Sequence, residues 1–422
     1  MRGRLNNYIK GKILTGIAFI GIMTIFLSSP TVFSLNNTAD PQEMVQKYFE
    51  MWQKVLTNPT LSDSVKNQKY QEMVDDLFNI ERLSRQFLSN DWRKLDEYTQ
   101  QRFSIALRKD IAKKIKNSPL LADSNFPWQL NLLNKTIKEN NATLDFDFVG
   151  KNRQSNIKVF LLKSPNGEWQ ITNVKIANKN SLVRHYYKFC KRILDDYSVS
   201  YLIAEMGGYN YVVLEDFESG TVGKIPPRWT WKSSDDPERK PYLVKSEDHN
   251  KYLEATDRGE SVIIGKEIKW NIKKYPYVSF RWRAHKIPKG GDERYGKTVD
   301  SAAGIYFIYK KKLGLIPESV KYVWSSTLPV GSTMRRSGIG KPWMVVADSG
   351  EDHLGEWRTY VFNAYEAYQK TFGGNPPDDT VGIGILSDAN STHSLAYADY
   401  DDIRALKNAN ADSGVKKILE AE

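Results

Sequence analysis

The apolar residues of this chain recur with two different periods, and the places where the period changes set the order of its domains. From about Asp40 to Lys116 the spacing is three and four residues, as on one face of a helix. Met73, Val74, Leu77, Phe78, Ile80 and Leu83 follow it. So do Phe103, Ala106, Leu107, Ile111 and Ile115, with Arg102, Arg108, Lys109 and Lys113 on the other side. Between Ala142 and Ile176 the period falls to two: Ala142, Leu144, Phe146 and Phe148 alternate with Thr143, Asp145 and Asp147. Ile157 to Leu162 is a second strand, and the turn Pro165-Asn166-Gly167 leads into a third, Trp169 to Ile176. A last amphipathic helix runs from about Ser181 to Met206. Helices, an antiparallel meander and a closing helix predict an α+β domain over residues 35–206.

Gly207-Gly208 closes that helix, and residues 207–214 read as a linker. From 215 to 407 the texture is short strands between Gly, Pro and Asp clusters. Tyr277 to Ala284 alternates cleanly, as does Leu395 to Ile403. Ser301 to Tyr309 is apolar on both faces, as expected of a strand covered on each side. This pattern predicts an all-β sandwich, jelly-roll-like, with one helical insertion at Asn363 to Phe372 and a polar, mobile tail at 408–422.

Residues 1–34 are of another kind. Arg2, Arg4, Lys10 and Lys12 precede an apolar run from Ile13 to Leu27, and Ser28, Ser29 and Pro30 end it. A basic head, an apolar stretch and a small-residue exit describe a secretory signal peptide. The alternative is a retained membrane anchor at residues 13–27, which as a helix spans about 22 Å against a hydrocarbon core of roughly 30 Å. On either reading the bulk of the protein lies outside the cytoplasm. Losing the segment's four basic residues lowers the formal net charge from +11 to +7. The basic excess is spread along the chain and is compatible with an anionic partner such as a phospholipid head group. The single cysteine, Cys190, excludes an internal disulfide and a Cys-based zinc or iron–sulfur site.

Signatures of catalysis are missing, and the expectation is a protein that is not an enzyme. There is no Gly-x-Ser-x-Gly. Gly338-Ile339-Gly340-Lys341 is followed by Pro342, where a phosphate loop requires Ser or Thr. His185, His249, His285, His353 and His393 form no His-Glu-x-x-His motif, and Asp352-His353 with Glu356 reads as a solvated turn. Lys310-Lys311-Lys312 is too short a basic run for nucleic-acid binding.

The first domain resembles a known family. Leu77-Phe78-Asn79-Ile80-Glu81-Arg82-Leu83-Ser84-Arg85-Gln86-Phe87-Leu88, Asp91-Trp92-Arg93 and Gln101-Arg102-Phe103 with Leu107-Arg108 are similar to the MlaC family, also called toluene-tolerance or ABC-transporter auxiliary proteins. The likeness continues through Ser164-Pro165-Asn166-Gly167-Glu168-Trp169-Gln170-Ile171 and Asn173-Val174-Lys175-Ile176. It ends in Ser181-Leu182-Val183 and the helix bearing Tyr186, Phe189 and Ile193. The resemblance implies a nuclear-transport-factor-like or cystatin-like fold, in which a curved sheet and its helices enclose an apolar cavity for phospholipid tails. It also implies a periplasmic location, with an inner-membrane ABC lipid-transport complex and an outer-membrane acceptor as partners. A lipid carrier needs a dry pocket and a weakly polar mouth that leaves the head group in water. Candidate linings are Phe87, Trp92, Phe103 and Leu107 from the helices, with Phe146, Phe148, Val159, Leu161, Trp169 and Ile171 from the sheet. Taken singly each reads rather as an ordinary core residue, and only the resemblance makes the set a pocket.

The second domain resembles an uncharacterised bacterial domain of unknown function. The likeness rests on Asp216-Phe217-Glu218-Ser219-Gly220, Val278 to Arg283, Asp300 to Ala303, Tyr322 to Gly331, Gly382 to Asp388 and Ala398 to Ile403. Its opening and closing motifs are similar to those of carbohydrate-binding jelly rolls, whose first and last strands lie side by side. In such modules neighbouring acids hold a structural calcium, for which Glu215, Glu218, Asp399 and Asp401 are the candidates; a solvated edge is the other reading. Alternation puts Arg281 and Arg283 on one strand face, able to grip an anion or to pair with acids. With Trp324 they are the candidate ligand contacts of the β-domain, with an envelope glycan as a candidate partner. The expected function is phospholipid binding within a lipid-transport system, with the β-domain as docking or glycan-binding module. The alternative is a cell-envelope carbohydrate-binding protein with a non-functional lipid pocket.

Overall fold

The computed structural model describes residues 40–118, 128–151, 153–177, 180–231, 241–312 and 316–412. The expected export segment, with its apolar run 13–27, and the tail beyond 412 lie outside the described residues. Four helices lead: α1 (Pro41–Thr57), α2 (Asp63–Leu77), α3 (Ile80–Leu88) and α4 (Glu97–Lys116). Each starts at a polar cap, where Asp40, Ser62, Asn79 and Asp96 accept from the backbone N–H of Gln42, Val65, Arg82 and Thr99.

The helices pack on a sheet of β1 (Gln129–Lys138), β2 (Asn141–Gly150), β3 (Arg153–Lys163), β4 (Trp169–Ile176) and β5 (Asn180–Ser181). These strands pair in sequence order, all antiparallel. The meander is therefore longer than the three strands its period predicts. The side chains of β1 are mostly exposed, so no apolar alternation marks it. The expected closing helix is two, α5 (Leu182–Asp196) and α6 (Val199–Gly207), because Ser198 caps a new helix and accepts from the N–H of Tyr201.

The second domain is an all-β sandwich. Its strands are β6 (Tyr211–Glu215), β7 (Thr230–Trp231), β8 (Tyr242–Glu247), β9 (Asn250–Asp257), β10 (Ile264–Glu267), β11 (Tyr277–Lys286) and β12 (Ala303–Lys312). They continue with β13 (Ile316–Ser325), β14 (Thr333–Arg335), β15 (Trp343–Ser349), β16 (Arg358–Asn363), β17 (Gly382–Ile385) and β18 (Ala396–Leu406). The helical insertion α7 (Ala364–Phe372) is capped by Asn363. One sheet has the order β14-β15-β13-β12-β17-β10-β7. The other has β16-β11-β18-β9-β8, with β6 also on β18, so the first and last strands are neighbours. Between the sheets, Phe280 and Trp282 of β11 meet Phe307, Tyr322 and Trp324 with ring centroids 5.8–6.3 Å apart.

The stretch 207–214 is not a free linker. Gly207 ends α6, Gly208 takes the left-handed conformation (φ +66°) that favours glycine, and β6 begins at Tyr211. Side chains bind the two domains across this junction. Tyr98 donates to Asp216 at 2.7 Å, Tyr275 to Glu205 at 3.0 Å, and Asn271 to the Tyr197 hydroxyl at 3.0 Å. Lys274 pairs with Glu205 as well.

Candidate functional site

Alternation along β2 turns Ala142, Leu144, Phe146 and Phe148 to the helices, and all four are buried. At the end of the sheet where β2 finishes and β3 begins, the helices stand off from these strands and leave a hollow of about 590 Å³. That is within the range of ligand-sized cavities. Helix α1 contributes Val45, Phe49 and Trp52, one turn apart along one face, and Phe49 meets Phe148 edge-on at 6.0 Å. Leu77 and Phe78 close the α2 end, where the Asn79 N–H bonds to the Ile171 carbonyl at 3.1 Å and pins the helices to β4. Ile111 and Ile115 come from α4; Ile157 and Val159 of β3, and Ile171, Val174 and Ile176 of β4, form the floor.

The polar side of the hollow is cationic. Lys114 of α4 and Arg184, His185 and Lys188 of α5 line it, with no aspartate or glutamate among the described lining residues. Lys114 lies 4.1 Å over the Tyr186 ring and pairs with Asp110 at 2.7 Å; the Tyr186 hydroxyl donates to the same carboxylate at 2.8 Å. Burial, and next the charge of Lys114, hold the His185 imidazole below its usual range, which keeps it neutral at pH 7. The mouth is thus more strongly charged than the weakly polar rim that the sequence suggests.

Of the ten residues proposed from the sequence, Phe148, Val159 and Ile171 line the hollow. The other seven, Phe87, Trp92, Phe103, Leu107, Phe146, Leu161 and Trp169, are buried but do not line it. Phe87 backs its wall, stacked on Tyr186 at 4.7 Å, while Trp92 and Phe103 pack edge-on at 6.2 Å within the helical layer. Sequence reasoning passed over α1, although Val45, Phe49 and Trp52 already keep helical spacing. The signal lies in large apolar residues that stay half-exposed, such as Phe49, Trp52, Ile157 and Ile176, because the surface they expose is the cavity wall.

The β-domain candidates resolve differently. Trp324 is fully buried in the sandwich core, with its indole N–H donating to the Gly350 carbonyl, so it is not a ligand contact. Arg281 binds Asp401 at 2.5 Å and Asp402 at 3.2 Å; Arg283 binds Asp399 at 2.8 Å and Glu247 at 2.9 Å. Both guanidinium groups lie 4.7 Å from the Trp357 ring. The proposed calcium ligands are not brought together. Glu215 accepts from two backbone N–H groups, the Trp229 indole and Lys266, Glu218 accepts from the Lys251 N–H, and the two aspartates hold the arginines. Among the described residues no group of three or more His, Cys, Asp or Glu side chains is arranged to hold a metal ion.

A smaller hollow of about 410 Å³ lies between the domains. It is lined by Lys94, Arg102, Arg228 and Lys266 and by Asp91, Asp96, Glu215, Asp216 and Glu267, a mixture in which cations and carboxylates sit against each other.

The first domain thus has a largely apolar hollow between its helices and its antiparallel sheet. Residues 43–207 match the MlaC protein family. Residues 228–404 match a family described as a protein of unknown function (DUF3047). The chain thus carries a region that matches the MlaC family followed by a region that matches that second family. Among solved structures, the first domain is similar to the phospholipid-binding protein from Ralstonia solanacearum in complex with a phospholipid. That likeness has 16% identity and a TM-score of 0.34, covering 40% of this chain and 96% of that one. The second domain is similar to a family 30 carbohydrate-binding module of a cellulosomal cellulase of Clostridium thermocellum (12% identity, 46% and 90% of the two chains, TM-score 0.23). It is similar also to a carbohydrate-binding module in specific mannan recognition (15% identity, 47% and 98%, TM-score 0.19). No curated protein matches the chain.

Proposed function

We propose that the protein is a non-enzymatic phospholipid carrier of the periplasm, holding acyl tails in the cavity of its first domain within an ABC-transporter-linked lipid-transport system. The observation that carries this reading is the open hollow of about 590 Å³, apolar on its floor and cationic at its mouth, in a domain that matches the MlaC family. Each methylene taken from water contributes about 0.8 kcal/mol, so one sixteen-carbon tail gains on the order of 10 kcal/mol before ordering costs. The β-domain serves as a docking or glycan-binding module. Half-buried Tyr252, Trp357 and Tyr397 on the outer face of its second sheet, beside Arg281 and Arg283, support a binding role for that face.

The test is native mass spectrometry and lipid extraction of exported protein purified without detergent. Co-purifying phospholipid is the expected result. Phe148→Asp, which puts a carboxylate in the apolar hollow at a cost of several kcal/mol, should reduce bound lipid at least tenfold while the β-domain stays folded. A lipid-free wild-type protein that is retained on polysaccharide would instead favour the glycan-binding alternative.

A further inference from the structure

We propose that the cavity selects phospholipids whose head group carries a net negative charge and no ammonium group, an inference that rests on the lipid-carrier reading above. Every common phospholipid presents a phosphodiester, and the lining cations suit that group in all of them. Discrimination comes from what lies beyond the phosphate. Arg184 and Lys188 are four residues apart on α5, so their side chains share one face, and both are exposed at the mouth. Lys114 approaches from α4.

A head-group ammonium lodged here would face cations of its own sign. Among the described residues the lining offers no carboxylate to receive it. The nearest acid identified, Asp110, is already held by Lys114 at 2.7 Å and by the Tyr186 hydroxyl at 2.8 Å, with its side chain only 15% exposed. A glycerol-type head group brings the phosphate charge and hydroxyls, and meets no such repulsion.

Because Arg184 and Lys188 are solvated, the preference is screened by salt over a Debye length of about 8 Å at physiological ionic strength.

The experiment exposes the full chain to vesicles of equimolar phosphatidylglycerol and phosphatidylethanolamine, re-isolates the protein and quantifies its lipids by mass spectrometry. At low salt the expected enrichment of phosphatidylglycerol is roughly fivefold, the ratio that corresponds to about 1 kcal/mol at a solvated charge pair. It should fall toward parity at high salt and in Arg184→Ala/Lys188→Ala. Lys188→Glu, which supplies the missing carboxylate, should shift the ratio toward phosphatidylethanolamine. Wild-type protein that loads both lipids equally would overturn the head-group proposal and leave the carrier reading standing. Protein that loads neither would overturn both.

Discussion

The two domains use the same kinds of side chain to opposite ends. In the β-sandwich, large aromatics fill the space between the sheets: Trp270, Trp282 and Trp324 are fully buried, and arginines on the outer face are matched by Asp399 and Asp401. In the first domain, aromatics of similar size stand around a hollow without closing it, and among the described residues the cations at its mouth have no acid in the lining. A well-matched core and a compensated charge set give stability and specificity of fold. A hollow and exposed cations such as Arg184 and Lys188 leave room and charge at the mouth. The contrast separates a domain with an open interior from one whose interior is filled.

Truncation inside the two regions tests that contrast most strongly. Trp282→Ala should cost about 3–5 kcal/mol of β-domain stability, because its ring packs against Phe280, Trp324, Tyr360 and Tyr400 and nothing can fill the void. Val159→Ala, facing a space that is already empty, should cost only about 1 kcal/mol. Equal losses in denaturant unfolding would mean that the hollow is packed as tightly as the sandwich.

A smaller effect probes the charges. Arg283→Ala leaves the buried Asp399 carboxylate with His285 as its remaining side-chain partner and should cost about 3 kcal/mol in the same measurement. No measurable loss would mean that the outer face is not the matched network described.

The finest test is by pH. Burial, with Asp402 beside it, pushes the Asp401 carboxyl up to about 7 against the pull of Arg281. Between about pH 4 and 7 the folded domain therefore keeps a proton that the unfolded chain has released. That contribution to stability is complete at acid pH and is lost as pH rises through 7. Relative to Asp401→Asn, the wild type should lose stability from pH 5 to 8 in thermal unfolding; parallel curves would refute the shift.

The order of elements was legible because period and capping residues are local. Ser62, Asn79 and Asp96 announce helix starts, and Phe146 and Phe148 announce the buried face of β2. Whether a buried face meets a neighbour or a void is not local. Phe146 and Phe148 obey the same alternation, yet only Phe148 lines the hollow. Trp324 shows the same limit, since β13 is covered on both faces and alternation cannot say which way its indole points. The partners of Asp399 and Asp401 lie 116 and 120 residues away in sequence, so acids that could have held calcium proved to be holding arginines.

The short passage from α6 to β6 has a consequence for delivery. Three residues separate the elements, and Glu205, Tyr98 and Asn271 form hydrogen bonds across the junction, so the first domain and the sandwich are joined with little slack. On the carrier reading proposed above, a partner that grips the sandwich would therefore also aim the opening.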